Sequence, residues 1–321
     1  MVNSLKSSSS PTRHLKKVQT GRIVRGGKPG KPYRRMPAIQ ERKAFKLGQA
    51  LYRTVKKYVA PAANAFLLSK GKISAAIDID FKKLMNVIKK EVKNDPNFVP
   101  RLISKTQLEK ISMARNDIDH DDFASLYKRS DRHFSVLKNL CECIGNNVAA
   151  GEVQRIWYLV KQGDFKSALS FAFRFTTVYD DHVAASLSEI IYGVIDKYLI
   201  KAMWAFRDNT EIGDPPIDAY ANLKYFINEQ SVDVDYLAQG GDARDDKKTL
   251  KLCMQARIKN RHGGNRKTFS GWKDDLDVII RFLRVINDAD GAHEVEVIRD
   301  KLVAARANNT EVTSEMFTTI F

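Results

Sequence analysis

From about residue 39 onward, apolar residues recur at three- and four-residue steps. The runs FKLGQALYRTVKKYV (45–59) and FKKLMNVIKKEV (81–92) each place their apolar side chains on one face of a helix. Three further runs, EVQRIWYLVKQ (152–162), FKSALSFAFRFTTVY (165–179) and VAASLSEIIYGVIDKYLIKAMWAF (183–206), are apolar enough to predict central core helices. DDLDVIIRFLRVIND (274–288) and EVEVIRDKLVAARA (294–307) follow the same rule. Period-two alternation bounded by turn residues is almost absent. NDPNFVP, AAGE, GDPPID and AQGGDARDD separate the helical runs. The pattern predicts an all-α protein.

The helical pattern also repeats. With Arg115 set against Arg257, an offset of 142, Ala114 meets Ala256 and His120 meets His262 without a gap. Phe134, Val136, Leu137, Leu140, Cys141 and Ile144 then meet Leu276, Val278, Ile279, Phe282, Leu283 and Ile286. Those six pairs have the spacing of one buried helical stripe. Leu108 meets Leu250 upstream, and IDIDFKKLMNVI resembles IDAYANLKYFI with a shift of two residues. The chain therefore reads as a basic arm over 1–38, one helical unit over 39–148, a second over 152–307 and a tail over 308–321.

Both copies carry Ala-Arg-x4-His between an entering helix and a following amphipathic one. In a continuous helix, residues five apart point about 140° from one another. Arg257 and His262 can therefore share a target only if the helix ends or distorts near the histidine. Gly263 and Gly264 supply such an end, with Asp121 and Asp122 at the equivalent places in the first copy. Tyr127 and Phe269, seven residues past each histidine, are expected to anchor the returning helix, and Trp272 to do so in the second copy alone.

Histidine gives or takes a proton near neutral pH, and arginine clamps phosphate oxygens while stabilising developing charge. RNA supplies its own 2′-hydroxyl nucleophile, so this pair needs no metal and no cofactor. Two motifs facing one another would form one composite site. The remaining candidates are weaker. DIDHDD lacks the glycine and glutamate of a calcium loop and reads as a solvated acidic turn that would repel phosphates. GNNVAAGEVQ lacks the Lys-Ser/Thr of a P-loop, and His133, His182 and His293 read as surface residues or local caps.

Charge changes the picture at one end only. The chain carries a net +16, yet residues 1–60 hold sixteen Lys or Arg against a single acid, leaving the remaining 261 residues close to neutral. Residues 1–38, rich in Ser, Gly and Pro, predict a disordered arm. Arg22, Arg25, Lys28, Lys31, Arg34 and Arg35 would bind RNA there by counterion release. A nuclear-import signal, a transit peptide or a solubilising tail are the other readings of the arm. Cys141, Cys143 and Cys253 form no CxxC pair and read as free thiols. No apolar run reaches the roughly 18 residues of a membrane span. A cytoplasmic or nuclear location is expected, with no membrane partner and with a homodimer or another protein as further partners.

An all-helical unit with Arg-x4–6-His, often Asn after the arginine, then an aromatic and a long amphipathic helix, resembles the HEPN domain family. The whole resembles a tandem-HEPN protein. The resemblance implies a metal-independent endoribonuclease that works as a dimer or tandem pair and leaves 2′,3′-cyclic phosphate ends. It maps Arg115 and His120 to one motif and Arg257 and His262 to the other, with Asn116 as the polar residue that orients its neighbours. Ile258 departs from that pattern in the second copy. Two alternatives remain: an RNA-coating protein that works through the arm, and an inactive HEPN-like scaffold.

Overall fold

Short polar residues set where the helices begin. Asp80, Asp122, Asn146, Asp180 and Asp288 each place a side-chain oxygen on a backbone N–H of the helix that follows. Ser104 and Gln107 form a reciprocal capping box. The computed structural model describes residues 37–74, 80–120, 122–209, 219–229, 243–262 and 265–321, all within one compact unit, Tyr33–Phe321. The six arm cations, Arg22 to Arg35, and the helix stop at Gly263 and Gly264 lie outside the described residues.

The all-α reading holds. Helix α1 (Ala38–Arg53) passes through a π-helical segment, Thr54–Val59, into α2 (Ala60–Ser69). Pro61 in the first turn of α2 cannot donate to the helical ladder. Helices α3 (Phe81–Asn94), α4 (Lys105–Asp119), α5 (Phe123–Cys143) and α6 (Asn147–Lys161) follow. After the single turn α7 (Phe165–Ala168) and strand β1 (Ala172–Phe173), α8 (Asp181–Val194) runs through a second π segment, Ile195–Leu199, into α9 (Ile200–Asn209). Helices α10 (Ala219–Glu229), α11 (Ala243–His262), α12 (Asn265–Val285) and α13 (Ala289–Ala307) complete the set. The segment 308–321 is integrated: β2 (Val312–Thr313) pairs antiparallel with β1, and Phe317 and Ile320 are buried. One hydrophobic core runs through all the long helices.

The offset of 142 recurs in the element bounds. Helices α5 and α12 both have 21 residues and begin and end 142 apart. Helices α6 and α13 also start 142 apart, and the turns before them match bond for bond. Gly145 N–H donates to Glu142 O at 3.1 Å and Asn287 N–H to Arg284 O at 3.0 Å. Asn146 and Asp288 then donate to Cys141 and Leu283, each at 2.8 Å. Gly145 and Asn287 both have positive φ, at 79° and 61°, as this helix stop requires. The aligned stripe residues from Phe134 to Ile144 and from Leu276 to Ile286 are buried, apart from half-buried Val278.

Upstream the register differs from the expected shift of two. Buried Phe81, Leu84, Met85 and Ile88 of α3 match buried Ala219, Asn222, Leu223 and Phe226 of α10, an offset of 138. The leading helices align at 140, where VKKYV (55–59) meets IDKYL (195–199) across the two π segments. Tyr52 and Tyr192, also 140 apart, stack on each other with ring centroids at 4.2 Å.

Three sequence expectations are corrected. Residues 165–179 are not a core helix: Phe171 and Phe173 are buried, Ala172 and Arg174 exposed, and Phe175 half-buried. This is strand alternation, and aromatics two apart mimic helical spacing over so short a run. AAGE does not interrupt the chain, because α6 passes through it from Asn147. Gly151, in the second turn, costs about 1 kcal/mol relative to alanine, which burial of Ala149, Ala150, Val153 and Ile156 on the same helix offsets. His133 is not a surface residue: it is 1 % exposed, with Nε2 at 2.9 Å from Asp117 Oδ2.

Candidate functional site

Helices α4 and α11 bring the two motifs together. Arg115 sits one turn before the end of α4, and His262 is the last residue of α11. The Arg115 Nη2 lies 2.7 Å from His262 Nδ1, a contact across 147 residues of sequence. Arg257 Nη1 lies 3.3 Å from the Nε2 of the same imidazole, so two guanidinium groups flank one ring. A second Arg257 nitrogen donates to the main-chain oxygen of Asp119, which ties the end of α11 to the end of α4. An arginine only donates. A neutral imidazole has one bare nitrogen, so the ring accepts from one arginine at a time.

Asp119 organises the first motif. Its carboxylate receives Arg115 Nε and stands 3.4 Å from His262 Nδ1. Asp80, the N-cap of α3, adds a second carboxylate 3.7 Å from Arg115 Nη2, and Arg115 Nη1 donates to Asn116 Oδ1 at 3.2 Å. At the offset of 142 the residue equivalent to Asp119 is Arg261. Arg261 turns inward instead, fully buried, onto the carboxylate of Asp196 and 3.5 Å from the centre of the Tyr192 ring. The two motifs are therefore alike in Arg-x4-His and opposite in charge one residue before the histidine.

Exposure separates the members. Arg257 is 1 % exposed and Arg115 7 %, whereas 28 % of the His262 side chain faces solvent. His120 caps α4, donates its backbone N–H to Asn116 O at 2.9 Å, and is exposed. Asn116 and Ile258 are exposed as well. Tyr127 and Phe269 are half-buried against the core, and Trp272 is buried and stacked near Phe175.

Three carboxylates of the acidic turn have internal partners instead of facing solvent alone. Asp117 takes His133 and lies 3.7 Å from Arg129, Asp119 takes Arg115, and Asp122 caps α5. These carboxylates are matched by internal cations and donors, which removes most of the repulsion expected toward a phosphate. Asp119 was legible as an i, i+4 partner of Arg115. Asp80 carries no such signal, since its proximity depends on how α3 packs against α4. Among the described residues, no group of three or more His, Cys, Asp or Glu is placed to hold a metal ion. No helix among them is long and apolar enough to cross a membrane.

The three cysteines are free thiols and all are buried. Burial pushes the Cys141 thiol up to about 12 and raises Cys253 further still, so neither is a nucleophile near neutral pH.

A cavity of about 270 Å³ opens beside this cluster, with Arg115, Asp119 and Asp80 in its wall. Tyr52 lines it as well, its hydroxyl donating to Asn260 O at 2.9 Å and its pKa raised by burial. No protein-family model, curated protein or solved structure matches the chain.

Proposed function

We propose that the chain is a metal-independent endoribonuclease of the HEPN type, built from two copies of one helical unit. Grouping α6 with α13 and the two π segments with each other redraws the copies from 39–148 and 152–307 to Ala38–Lys161 and Asp181–Ala307. The observation that carries the reading is the 2.7 Å approach of Arg115 from one copy to His262 of the other. An arginine and a histidine from separate halves are held at hydrogen-bond distance, with the histidine open to solvent.

The roles follow from exposure and partners. His262 is placed to exchange a proton with the substrate, and Arg115 beside it to face the phosphate. Arg257 is sealed and bonded to the Asp119 carbonyl, so it acts as a positioning residue that fixes α11 against α4. His120, next in sequence to Asp119, is the second proton-transfer candidate. In the reaction the 2′-oxygen attacks phosphorus as its proton passes to one imidazole. The bond from phosphorus to the 5′-oxygen breaks, and the other imidazole protonates that oxygen. Guanidinium charge stabilises the pentavalent phosphorane between these steps.

The test is cleavage of an end-labelled single-stranded RNA in EDTA. The wild type is expected to cleave, and His262→Ala and His120→Ala each to lose at least about 100-fold in rate, the scale of one general acid or base. Cleavage that vanishes in EDTA, or that survives both substitutions, overturns the proposal.

A further inference from the structure

The cavity beside Arg115 has features that cleavage alone does not require. Its volume, about 270 Å³, lies near the lower end of ligand pockets, which run from about 300 Å³, and suits one flat group better than a length of chain. Tyr179, just before α8, packs its ring edge-on to Phe269 at 5.6 Å, and its hydroxyl bonds Asp181. On that braced ring the exposed Arg266 lays its guanidinium 4.6 Å from the centroid. This gives a planar cationic platform in the cavity wall. Asn64 of α2 and Asn265 at the start of α12 face the same space, and each amide offers both donors and an acceptor.

The mix of donors and acceptors in the wall selects the occupant. Three carboxylates, Asp80, Asp119 and Asp181, line the cavity along with Arg115, Arg261, Arg266 and Lys56. Asp80 and Asp119 both sit on Arg115, and a phosphate diester, which carries only acceptors, would use neither these carboxylates nor the amide oxygens. A nucleobase is neutral, flat and edged with donors and acceptors, so it can face carboxylates and amides together. Unpaired bases stack on aromatic rings and arginine planes, which is how single-stranded RNA is read.

We propose that this cavity receives the base of the nucleotide adjoining the scissile phosphate, stacked on the Arg266–Tyr179 platform and held at its edge by Asn64 and Asn265. This rests on the ribonuclease reading for its choice of RNA and makes the enzyme one that favours unpaired strands, because drawing a paired base out of its helix carries an unpairing and unstacking cost. Arg266 and Asn64 are then specificity residues, distinct from the proton-transfer groups.

The test reads binding, not cleavage. Adenosine 3′-monophosphate, cytidine 3′-monophosphate, ribose 5-phosphate and inorganic phosphate are titrated into the full chain and followed calorimetrically. At least one nucleotide is expected to bind about fivefold or more tighter than ribose 5-phosphate, the lower end for one stacked base. Arg266→Ala, at an exposed position, and Asn64→Leu should each shrink that ratio, while Val148→Ala, exposed and outside the cavity wall, should keep it. Equal binding of nucleotide and ribose phosphate, no binding of either nucleotide, or a ratio unchanged in both variants overturns the pocket. Absence of RNA cleavage with the ratio intact would remove the ribonuclease reading and leave the base pocket standing.

Discussion

Arg261, the residue before His262, is locked inside the protein, and removing it tests how firmly the end of α11 is held. Its guanidinium and the Asp196 carboxylate are both fully inaccessible to solvent, and the charge is stacked 3.5 Å from the Tyr192 centroid and 5.6 Å from that of Tyr52. Arg261→Met keeps the apolar stem but leaves Asp196 buried without its guanidinium. Breaking a buried pair in this way costs about 3–5 kcal/mol. The lost cation–π contact adds up to about 2 kcal/mol, which new apolar packing by the methionine partly offsets. Replacing both partners, as in Arg261→Met with Asp196→Leu, removes the desolvated charges together and should return stability to within about 1–2 kcal/mol of the wild type. Urea unfolding of the three proteins, followed by circular dichroism, gives the comparison. A cost under about 1 kcal/mol for Arg261→Met, or a double variant as unstable as the two single costs added, would refute the reasoning.

Other substitutions probe the remaining features. Arg115→Lys keeps the charge but cannot span Asp119, His262 and Asn116 at once; RNA cleavage should slow by about 100-fold or more with little change in melting temperature, as stopped time courses will show. Burial, opposed by Lys259, raises the Asp275 carboxyl to about 6. The folded state therefore holds this proton over a range where the unfolded chain has released it, so stability should fall as pH rises from about 4 to about 6 and level off above. Asp275→Asn should flatten that fall in urea titrations at stepped pH. Gly193→Leu should destabilise by about 1–3 kcal/mol, since a Cβ there would meet Gln49 Nε2 at 3.0 Å and Ile320 at 3.2 Å, and chemical denaturation measures it directly.

The helices were legible because their apolar stripes are long enough for a period of 3.6 to show, as in α3, α5 and α12. The offset of 142 was legible from 114 to 144 because the stretches from Phe123 to the turn at Gly145 and from Asn265 to the turn at Asn287 have equal length. It was not legible in the leading helices. There the offset drops to 140, and VKKYV and IDKYL share few identities and only modest apolar matching. The 165–179 region failed for the opposite reason: a dense run of phenylalanines satisfies two periods at once, and only pairing with Val312–Thr313 decides between them.

At the site, Arg115, Arg257 and His262 were readable as a motif, and Asn116 as a neighbour of Arg115. Their partition into exposed and sealed members was not, because it depends on how α4 and α10 pack against Arg257, through the Asp119 carbonyl and the Tyr220 ring. Nor does sequence spacing reveal that Asp80, Tyr179 and Arg266 border one cavity. Those residues come from separate elements and share no periodicity.

Identifying the ends left after cleavage is the most direct test of the account, using an RNA in which one nucleotide at a mapped cut site is 2′-deoxy. Mass spectrometry in EDTA should find 2′,3′-cyclic phosphate on every upstream fragment and no cut after the deoxynucleotide. Fragments ending in 3′-hydroxyl, or a cut that persists at the deoxynucleotide, would contradict attack by the 2′-oxygen at a site shared by Arg115 and His262.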